Sequence, residues 1–550
     1  MARKFIILTL SLALLSNYQT EAIEGETISI LGHSTIKYQY TNYYFYFFFQ
    51  LDANHWKTLA REELKQSLLF RLNENVAKNV IIFVGDGMSP DTITASRIYH
   101  AGETSHLAWE KFPHIGLLKT YNTNKQVPDS ASTATALFGG VKTNYKVVGV
   151  DANVKLGDCE ASLDESYHVS SILSWAQAAG KDTGFVTTTR VTHATPAPLY
   201  AHCPSRSWEC EANIPETSKK CKDIARQLVE NVPGKNIKVI MGGGRQVMRS
   251  NVSAGEFDPI DTWACYSRDG RDLMGDWARD KAARKRSHAV VQNNAELRSL
   301  DYGSVEFLLG IFANGHISMD WKRENGPMGQ PSLEEMTVAA LKILRKADNG
   351  YLLVVEGGLI DFAHHRGHAA QALLETVRLS DAINATLNIV DTEDTLVIVT
   401  SDHTHSMSFN GYPDRGSSVL GVAQPSKHDG IPYTTLTYST GGPNNLAYGI
   451  NEAGQVTRKN PSTEDTKDFL YSQQATVVTD EAYHGGGDVA VYAIGPYAHL
   501  FHTTHEQSYV AHVIGYSSKI GPYASGSGNR DFKWSGFIVT VVSTLVTSVF

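Results

Sequence analysis

The sequence predicts an α/β fold in which a central, mostly parallel sheet is flanked by helices. Short apolar runs rich in β-branched residues alternate with longer segments whose apolar residues recur at helical spacing. Each apolar run stops at glycine or at a polar turn, as the buried strands of a parallel sheet do. With 42% apolar residues in 550, the chain can bury a core of this kind.

The elements follow one another in a regular order along the chain. Helical periodicity is predicted over residues 55–72, 332–345 and 369–389. Buried strands are predicted over residues 80–84, 185–186, 237–241, 351–355, 396–399 and 489–494. Residues 411–482 differ, because they are rich in Gly, Pro, Tyr, Ser and Thr and have weak periodicity. We expect an inserted subdomain there, since the helix–strand pattern resumes afterwards.

The N-terminus has the features of a secretory signal peptide. Arg3 and Lys4 precede a short apolar run and then polar residues, which predicts a signal over residues 1–22. Residues 23–51 form an unusual stretch that contains an almost wholly aromatic run, for which the sequence suggests no function.

The C-terminus has the features of a glycolipid (GPI) attachment signal over residues 523–550. Small residues begin at Ser525, a polar spacer follows, and the apolar tail 537–550 ends the chain. A short C-terminal membrane helix is the alternative, but the tail is short for a span. We therefore expect a GPI-anchored protein on the extracellular face of the cell membrane.

Charge and cysteine content fit that location. The formal net charge of −8 gives no basic footprint, so no nucleic-acid partner is expected. Sequons at Asn251 and Asn384 suit a secreted glycoprotein. An odd number of cysteines leaves at least one unpaired or joined to another chain. The five cysteines are Cys159, Cys203, Cys210, Cys221 and Cys265.

Three predicted strands end in acids. Asp86, Glu356 and Asp402 each stand at or just after the end of an apolar run. Ligands of open α/β sheets bind beyond the carboxyl ends of the strands, so these side chains are expected to converge. Each acid alone could be a turn or capping residue. Together they would repel one another in a buried site, and cations would have to offset that repulsion.

Histidines are spaced to complete such a site. Asp361 and His365 lie one helical turn apart, His403 follows an acid directly, and His484 precedes three glycines. Mixed histidine and carboxylate ligands suit Zn²⁺, whereas an all-oxygen set suits Mg²⁺. Three nearby histidines are interpreted as supporting or structural residues: His364, His368 and His405.

Two residues are candidates for binding and attacking a phosphate. Ser130 follows Asp129 at the start of a small-residue helical run, where free amides and the helix dipole favour an anion. Taken alone, Ser130 could equally be a plain helix cap. Arg206 could hold two phosphate oxygens with its planar guanidinium, although an isolated arginine is usually a surface residue.

These motifs occur in one order and together resemble the alkaline phosphatase family over about residues 52–522. They are NVIIFVGDGM at Asp86, VPDSASTATA at Ser130, TTTRVTHATPAPLYAH at Thr195, VVEGGLIDFAHH at Glu356, TSDHTHSMSFNGYPDRG at Asp402 and HGGGDVAVYAIGP from His484. The resemblance implies an α/β enzyme that hydrolyses small phosphate monoesters through a phosphoserine, using two Zn²⁺ and one Mg²⁺.

The resemblance also assigns roles to residues. Ser130 would be the phosphorylated nucleophile, Arg206 the phosphate clamp, and His193 a neighbour of the magnesium ion and the phosphate. The implied ligands are Asp361, His365 and His484 for one zinc ion, Asp86, Asp402 and His403 for the other, and Asp86, Thr195 and Glu356 for magnesium.

The sequence departs from the family pattern at several positions. Gly487 replaces an acid that would support the His484 zinc site. The family's calcium carboxylates are missing around residues 312–315 and Gln330, so no calcium is expected. Of the family's disulfides, Cys159–Cys221 has its counterpart here, and the remaining three cysteines stay unassigned.

Two further expectations come from the resemblance. Residues 411–482 match the family's crown subdomain, and family members are homodimers, so a homodimer is expected. The alternative function is a catalytically weakened, GPI-anchored binding or receptor protein on the same scaffold. That alternative predicts the loss of a ligand or of the nucleophile, and the sequence retains all of them.

Overall fold

The computed structural model describes residues 52–524. The predicted signal peptide, the aromatic stretch and the anchor signal from Ser525 onward lie outside the described residues. The chain divides into one unit that ends at Arg71 and a second that begins at Leu72. In the first unit, helix α1 (Ala53–Leu69) is capped by the Asp52 side chain, which accepts a hydrogen bond from a backbone N–H.

In the second unit, helices and strands alternate over most of the chain. The strands are β1 (Asn79–Gly85), β2 (His114–Lys119), β3 (Asp182–Arg190), β4 (Val239–Gly243), β5 (His288–Val291), β6 (Phe307–Ile311), β7 (Tyr351–Gly357), β8 (Thr395–Ser401), β9 (Thr404–His405), β10 (Met407–Phe409), β11 (Leu436–Gly441), β12 (Tyr448–Ile450), β13 (Val456–Arg458), β14 (Ala475–Val478), β15 (His484–Gly485), β16 (Val489–Ile494) and β17 (Thr503–Glu506).

The helices of the second unit cover both faces of the sheet, and short 3₁₀ turns connect several elements. The helices are α2 (Pro90–Ala101), α3 (Ser130–Gly139), α4 (Cys159–Ser162), α5 (Ile172–Ala178), α6 (Ile224–Glu230), α7 (Arg245–Met248), α8 (Leu273–Ala283), α9 (Asn294–Arg298), α10 (Leu333–Leu344), α11 (Leu359–His365), α12 (Ala369–Leu387) and α13 (Tyr509–Ser518). Within residues 52–524, none of the helices has the length and apolar content that crossing a membrane requires.

Ten strands form the central sheet, in the order β17-β2-β16-β8-β1-β7-β3-β4-β6-β5. In the described chain, β16 is the one strand of this sheet that runs antiparallel to its neighbours, β2 and β8. The predicted fold class, a mostly parallel sheet flanked by helices, is therefore confirmed. Val84 of β1 lies opposite Glu356 of β7 and Thr400 of β8, so the ends of these three strands coincide.

The central strand β1 is buried on both faces, which explains its unbroken apolar sequence. Val80, Ile82 and Val84 join one hydrophobic cluster, whereas Ile81 and Phe83 join a second cluster on the other face. These five side chains are at most 1% exposed. The strand that precedes Asp86 is therefore held firmly by packing on both sides.

Residues 411–482 form structure outside the central sheet. Strand β11 pairs with β10 and β14 in a three-stranded sheet, and β12 pairs with β13 in a hairpin. Leu436 and Tyr438 of β11 pack in a cluster with Ala95 of α2 and Leu373 of α12. The segment is thus attached to helices beside the main sheet rather than inserted into it.

Four cysteines pair in two disulfides. Cys159 bonds Cys221, as the family resemblance implies, and Cys210 bonds Cys265, a pair that the sequence left open. Cys203 is free and buried, and burial raises the pKa of its thiol to about 12. A protonated, buried thiol is unreactive.

Candidate active site

The strand ends bring the predicted acids together in a buried position. Asp86 follows β1, Glu356 lies near the end of β7, and Asp402 follows β8. Each of the three is at most 2% exposed. Thr195 donates a hydrogen bond from Oγ1 to Asp86 Oδ2 at 3.3 Å, which places this residue in the same cluster.

Asp361 lies among three histidines. Its Oδ2 is 3.2 Å from His365 Nε2, and its Oδ1 is 3.3 Å from His405 Nε2 and 3.4 Å from His484 Nε2. His484 Nε2 also lies 3.1 Å from His365 Nε2. Antiparallel pairing of β15 with β9 sets His484 opposite His405. These four residues can hold a metal ion, and three of them are the predicted ligands of one zinc ion.

His403 connects the acids of the second predicted zinc site. Its Nε2 is 3.2 Å from Asp86 Oδ1 and 3.3 Å from Asp402 Oδ2. Asp402 also accepts hydrogen bonds from the Gly87 backbone N–H and from Thr133 Oγ1, each at 3.1 Å. Asp86, Asp361 and His403 form a group of possible metal ligands, and Asp402 of the predicted set is not part of that group.

Glu356 marks the third site. Thr187 and Thr189 both donate hydrogen bonds to its Oε2. Glu356 forms a possible ligand group with Asp86 and His193. Thr195, the predicted third ligand, contacts Asp86 through its hydroxyl. His193, predicted as a neighbour of the magnesium ion, lies close enough to Asp86 and Glu356 to be a possible ligand itself.

Three histidines share an arrangement typical of metal ligands. Each donates a hydrogen bond from Nδ1 to a backbone carbonyl, so that Nε2 faces the acids and is the ring atom available to a metal ion. The histidines are His365, His403 and His484, and the acceptors are the carbonyls of Ala482, Thr404 and Pro128 respectively.

Some buried atoms in the cluster have no hydrogen-bond partner among residues 52–524. They are Oε1 of Glu356 and Nδ1 of His405. An unpartnered buried carboxylate oxygen is costly, and a bound cation would satisfy it. The donor set of carboxylates, imidazoles and a hydroxyl therefore fits divalent metal ions.

The acids repel one another in the absence of cations. Burial, followed by the charges of Asp402, Asp361 and Glu356, raises the pKa of Asp86 well above its ordinary value. Burial raises the pKa of Glu356 to about 7. Burial opposes protonation of His365, yet Asp361 raises the pKa of this histidine to about 9. The cluster thus favours the gain of positive charge, either as protons or as metal ions.

Ser130 lies inside this cluster. It is the first residue of α3, and Asp129 caps the helix by accepting a hydrogen bond from the Ala131 N–H at 3.2 Å. Ser130 Oγ lies 3.1 Å from His403 Nε2 and donates to Asp86 Oδ1 at 3.4 Å. Because Asp129 is the cap, the Ser130 hydroxyl is not needed for capping and points at the acids.

Arg206 is held beside the same helix start. Its Nη1 donates to Asp129 Oδ2 at 3.2 Å, and its Nη2 lies 3.2 Å from His193 Nε2. Burial, followed by the positive charges of Arg206 and Arg190, holds the pKa of His193 well below its usual value. His193 is therefore neutral and can accept the hydrogen bond from Arg206. The guanidinium is oriented from two sides.

The structure adds to the sequence analysis at two positions. His405, which the sequence left as a supporting residue, belongs to the Asp361 group. The sequence shows that His405 lies two residues after His403, but it does not show that β9 pairs with β15 and so brings His405 to Asp361. Gly487 donates its N–H to Thr404 Oγ1 at 3.2 Å, and a Cβ there would come no closer than 3.5 Å to Thr404. A side chain would therefore fit at Gly487.

Comparison with known proteins shows the family to which this chain belongs. The family model for alkaline phosphatase matches residues 77–520. Human (Homo sapiens) tissue-nonspecific alkaline phosphatase is 44% identical over 481 residues, 86% of this chain and 89% of that protein. Cod (Gadus morhua) alkaline phosphatase is 43% identical, and the aligned region covers 86% of this chain and 98% of the cod protein. The solved alkaline phosphatase of the Antarctic bacterium TAB5 has a TM-score of 0.54 at 23% identity, covers 82% of this chain and 99% of its own, and so shares the fold. The chain thus belongs to the alkaline phosphatase family.

Proposed function

We propose that this enzyme hydrolyses phosphate monoesters to an alcohol and phosphate through a phosphoserine formed on Ser130. One observation carries the proposal: Ser130 Oγ lies 3.1 Å from His403 Nε2 and 3.4 Å from Asp86 Oδ1, within a buried cluster of acids and histidines. A hydroxyl in that position can lose its proton and attack phosphorus. No observation favours the alternative of a catalytically weakened binding protein.

We propose two Zn²⁺ and one Mg²⁺ as cofactors. When bound, these ions act as Lewis acids toward the attacking and leaving oxygens of the phosphate. Their six positive charges exceed the four negative charges of Asp86, Glu356, Asp361 and Asp402 by two, which suits a phosphate dianion. The proposed ligands are Asp361, His365 and His484 for one zinc ion, Asp86, Asp402 and His403 for the other, and Asp86, Thr195 and Glu356 for magnesium.

The protein side chains bind and orient the ester. Arg206, fixed by Asp129 and His193, would donate two parallel hydrogen bonds to the phosphate oxygens. Ser130 Oγ would form the new bond to phosphorus as the alcohol leaves on the side of Asp361 and His365. Hydrolysis of the phosphoserine by water would then restore the hydroxyl.

The proposed setting of this activity comes from the sequence. We propose that residues 1–22 direct export and that residues 523–550 direct attachment of a GPI anchor, which would place the enzyme on the extracellular face of the cell membrane. We further propose a homodimer in which residues 411–482 form a surface subdomain. Release of activity from cells by a phosphatidylinositol-specific phospholipase C would support the anchor, and its retention would contradict it.

Ser130→Ala tests the catalytic proposal. Metal-loaded protein should hydrolyse 4-nitrophenyl phosphate at alkaline pH, and the variant should lose at least about 10³-fold in kcat. Acid quenching with a labelled substrate should trap phosphate on the parent protein but not on the variant. Ser96→Ala is a matched control, since Ser96 is a buried helical serine whose hydroxyl makes no hydrogen bond to any described residue. Near-parental activity in Ser130→Ala, or no activity in the zinc-loaded parent, would refute the proposal.

A further inference from the structure

Arg366 is an exposed cation next to the candidate active site. It follows the proposed ligand His365 directly, so their Cα atoms are about 3.8 Å apart. It is also the C-cap of α11, where the negative end of the helix dipole favours a cation. Among residues 52–524, its guanidinium has a ring contact but no hydrogen bond and no ion pair.

An aromatic ring holds this guanidinium in place. The Arg366 Cζ atom lies 3.5 Å from the centre of the Phe362 ring. Phe362 is partly buried and packs against the hydrophobic core, and its ring centre is 5.1 Å from that of His316. A guanidinium stacked on a ring keeps its N–H groups directed outward in the plane. Arg366 is therefore positioned without using its hydrogen-bond donors.

The ring contacts connect Arg366 with the proposed phosphate clamp. The His316 ring lies 5.2 Å from the ring of His193, which contacts Arg206 at 3.2 Å. Burial, followed by the effects of Arg190, His193 and Arg366, holds the pKa of His316 well below its usual value. Arg366 and the clamp are thus connected by a row of contacts through Phe362, His316 and His193.

Two acids whose charges act on Arg366 have other partners. The charges of Asp261 and Glu481 act on Arg366. Asp261 accepts a hydrogen bond from Arg190 Nη1 at 3.0 Å, and Glu481 Oε1 lies 3.4 Å from His365 Nδ1. Neither carboxylate makes an ion pair with Arg366, so its donors remain available to a ligand.

We infer that Arg366 binds a second anionic group on the substrate, so that the enzyme favours phosphate monoesters whose alcohol carries a carboxylate or another phosphate. This inference rests on the proposed function, in which the alcohol leaves on the side of Asp361 and His365. A group attached to that alcohol would extend from His365 toward the adjacent Arg366. Both carboxylate and phosphate can accept the paired N–H donors of a guanidinium.

The test compares three substrates that share one aromatic ring: phenyl phosphate, 3-carboxyphenyl phosphate and 1,3-phenylene bisphosphate. For each anionic substrate, kcat/KM divided by that of phenyl phosphate measures the preference. In Arg366→Gln this ratio should fall about fivefold, as expected for the loss of about 1 kcal/mol from an exposed charge pair. The loss should appear mainly in KM, and it should shrink at high salt. The two anionic substrates distinguish a carboxylate preference from a phosphate preference.

Arg298→Gln is the matched control, because Arg298 is an exposed arginine that ends another short helix and pairs with Glu335. It should leave the ratio unchanged, and Arg366→Glu should lower the ratio further than Arg366→Gln. Equal ratios in the parent protein and in Arg366→Gln, with phenyl phosphate hydrolysed normally, would overturn the inference alone. Failure of the metal-loaded parent to hydrolyse phenyl phosphate would instead refute the proposed function, and the inference with it.

Discussion

The acids of the candidate active site are buried without enough positive charge around them to balance their negative charge. Asp86 and Asp402 are fully buried, and Asp86 lies close enough to three other acids for their charges to raise its pKa. Arg206 lies at the edge of the group, where it is already oriented by Asp129 and His193. A site that gathers acids and then places an oriented arginine beside them is suited to metal ions and to an anionic substrate together.

Arg206→Ala should lower kcat/KM for 4-nitrophenyl phosphate by about 10²-fold, because two charge-assisted hydrogen bonds to the phosphate are lost. Arg206→Lys should lose about tenfold, since an ammonium keeps the charge but not the planar pair of donors. Inhibition by inorganic phosphate should weaken in parallel. Steady-state kinetics would measure all three, with the exposed Arg279→Ala as control. A lysine variant as active as the parent would contradict the two-point contact.

Glu356 should make the metal-free protein less stable as the pH rises. Its pKa is raised by burial from an ordinary value of 4.5 to about 7. Between these values the folded state keeps a proton that the unfolded chain loses, so the free energy of unfolding falls as the pH increases.

Thermal unfolding in chelator should reveal this contribution. The melting temperature of Glu356→Gln should decline less between about pH 4.5 and 7 than that of the parent protein. Glu452→Gln, at an exposed glutamate, should behave like the parent. Identical pH profiles for Glu356→Gln and the parent would show that Glu356 titrates alike in the folded and unfolded states.

Three acids of the site, Asp86, Glu356 and Asp402, could be predicted from the sequence because each stands at the end of an apolar strand, whereas Asp361 lies in helix α11. The ordered motifs around them then identified the histidines as well. His405 was different, since a lone histidine is more often structural, and only the pairing of β9 with β15 brings it to Asp361. The stacking of Arg366 on Phe362 likewise depends on the folded structure and could not be predicted from the sequence.

At the scale of elements, the segment 411–482 is connected to the site through a buried hydrogen-bond chain. Tyr438 of β11 lies with its hydroxyl 2.7 Å from His364 Nδ1, and His364 Nε2 lies 3.0 Å from Thr92 Oγ1 in α2. Burial lowers the pKa of His364 to about 3, so this histidine stays neutral. The chain therefore joins α11, which carries Asp361 and His365, to both α2 and β11.

Tyr438→Phe should destabilise the folded protein by about 1–3 kcal/mol, because the buried His364 Nδ1 would lose its partner. Urea unfolding should show a lower midpoint with an unchanged slope. Tyr448→Phe on the hairpin strand β12 is the control, since Tyr448 is 40% exposed. An unchanged midpoint for Tyr438→Phe would mean that water replaces the lost hydroxyl at no cost.

At the scale of the whole molecule, the alternation of strands and helices was sufficient to predict the fold class, but not the order of the strands. Apolar runs do not reveal direction, so the antiparallel course of β16 was not foreseen. Strand β2 was missed because alternate side chains are exposed, with Ile115 at 51%, and the sequence lacks a continuous buried run. Both the direction of β16 and the presence of β2 depend on pairing between strands that are far apart in the sequence.

Removal of metal should destabilise the whole enzyme as well as inactivate it. Ions that bind only the folded state add about 2.7 kcal/mol per site when present at a hundred times their dissociation constant. Without them, four buried acids repel one another around Asp86. We expect chelation to lower the melting temperature, and zinc with magnesium to restore both the melting temperature and activity, whereas zinc alone should restore them only in part. Elemental analysis beside calorimetry would check this, with Asp361→Asn expected to retain less zinc. A chelated protein that keeps its melting temperature after losing its metal would show that the acids are neutralised by protons instead.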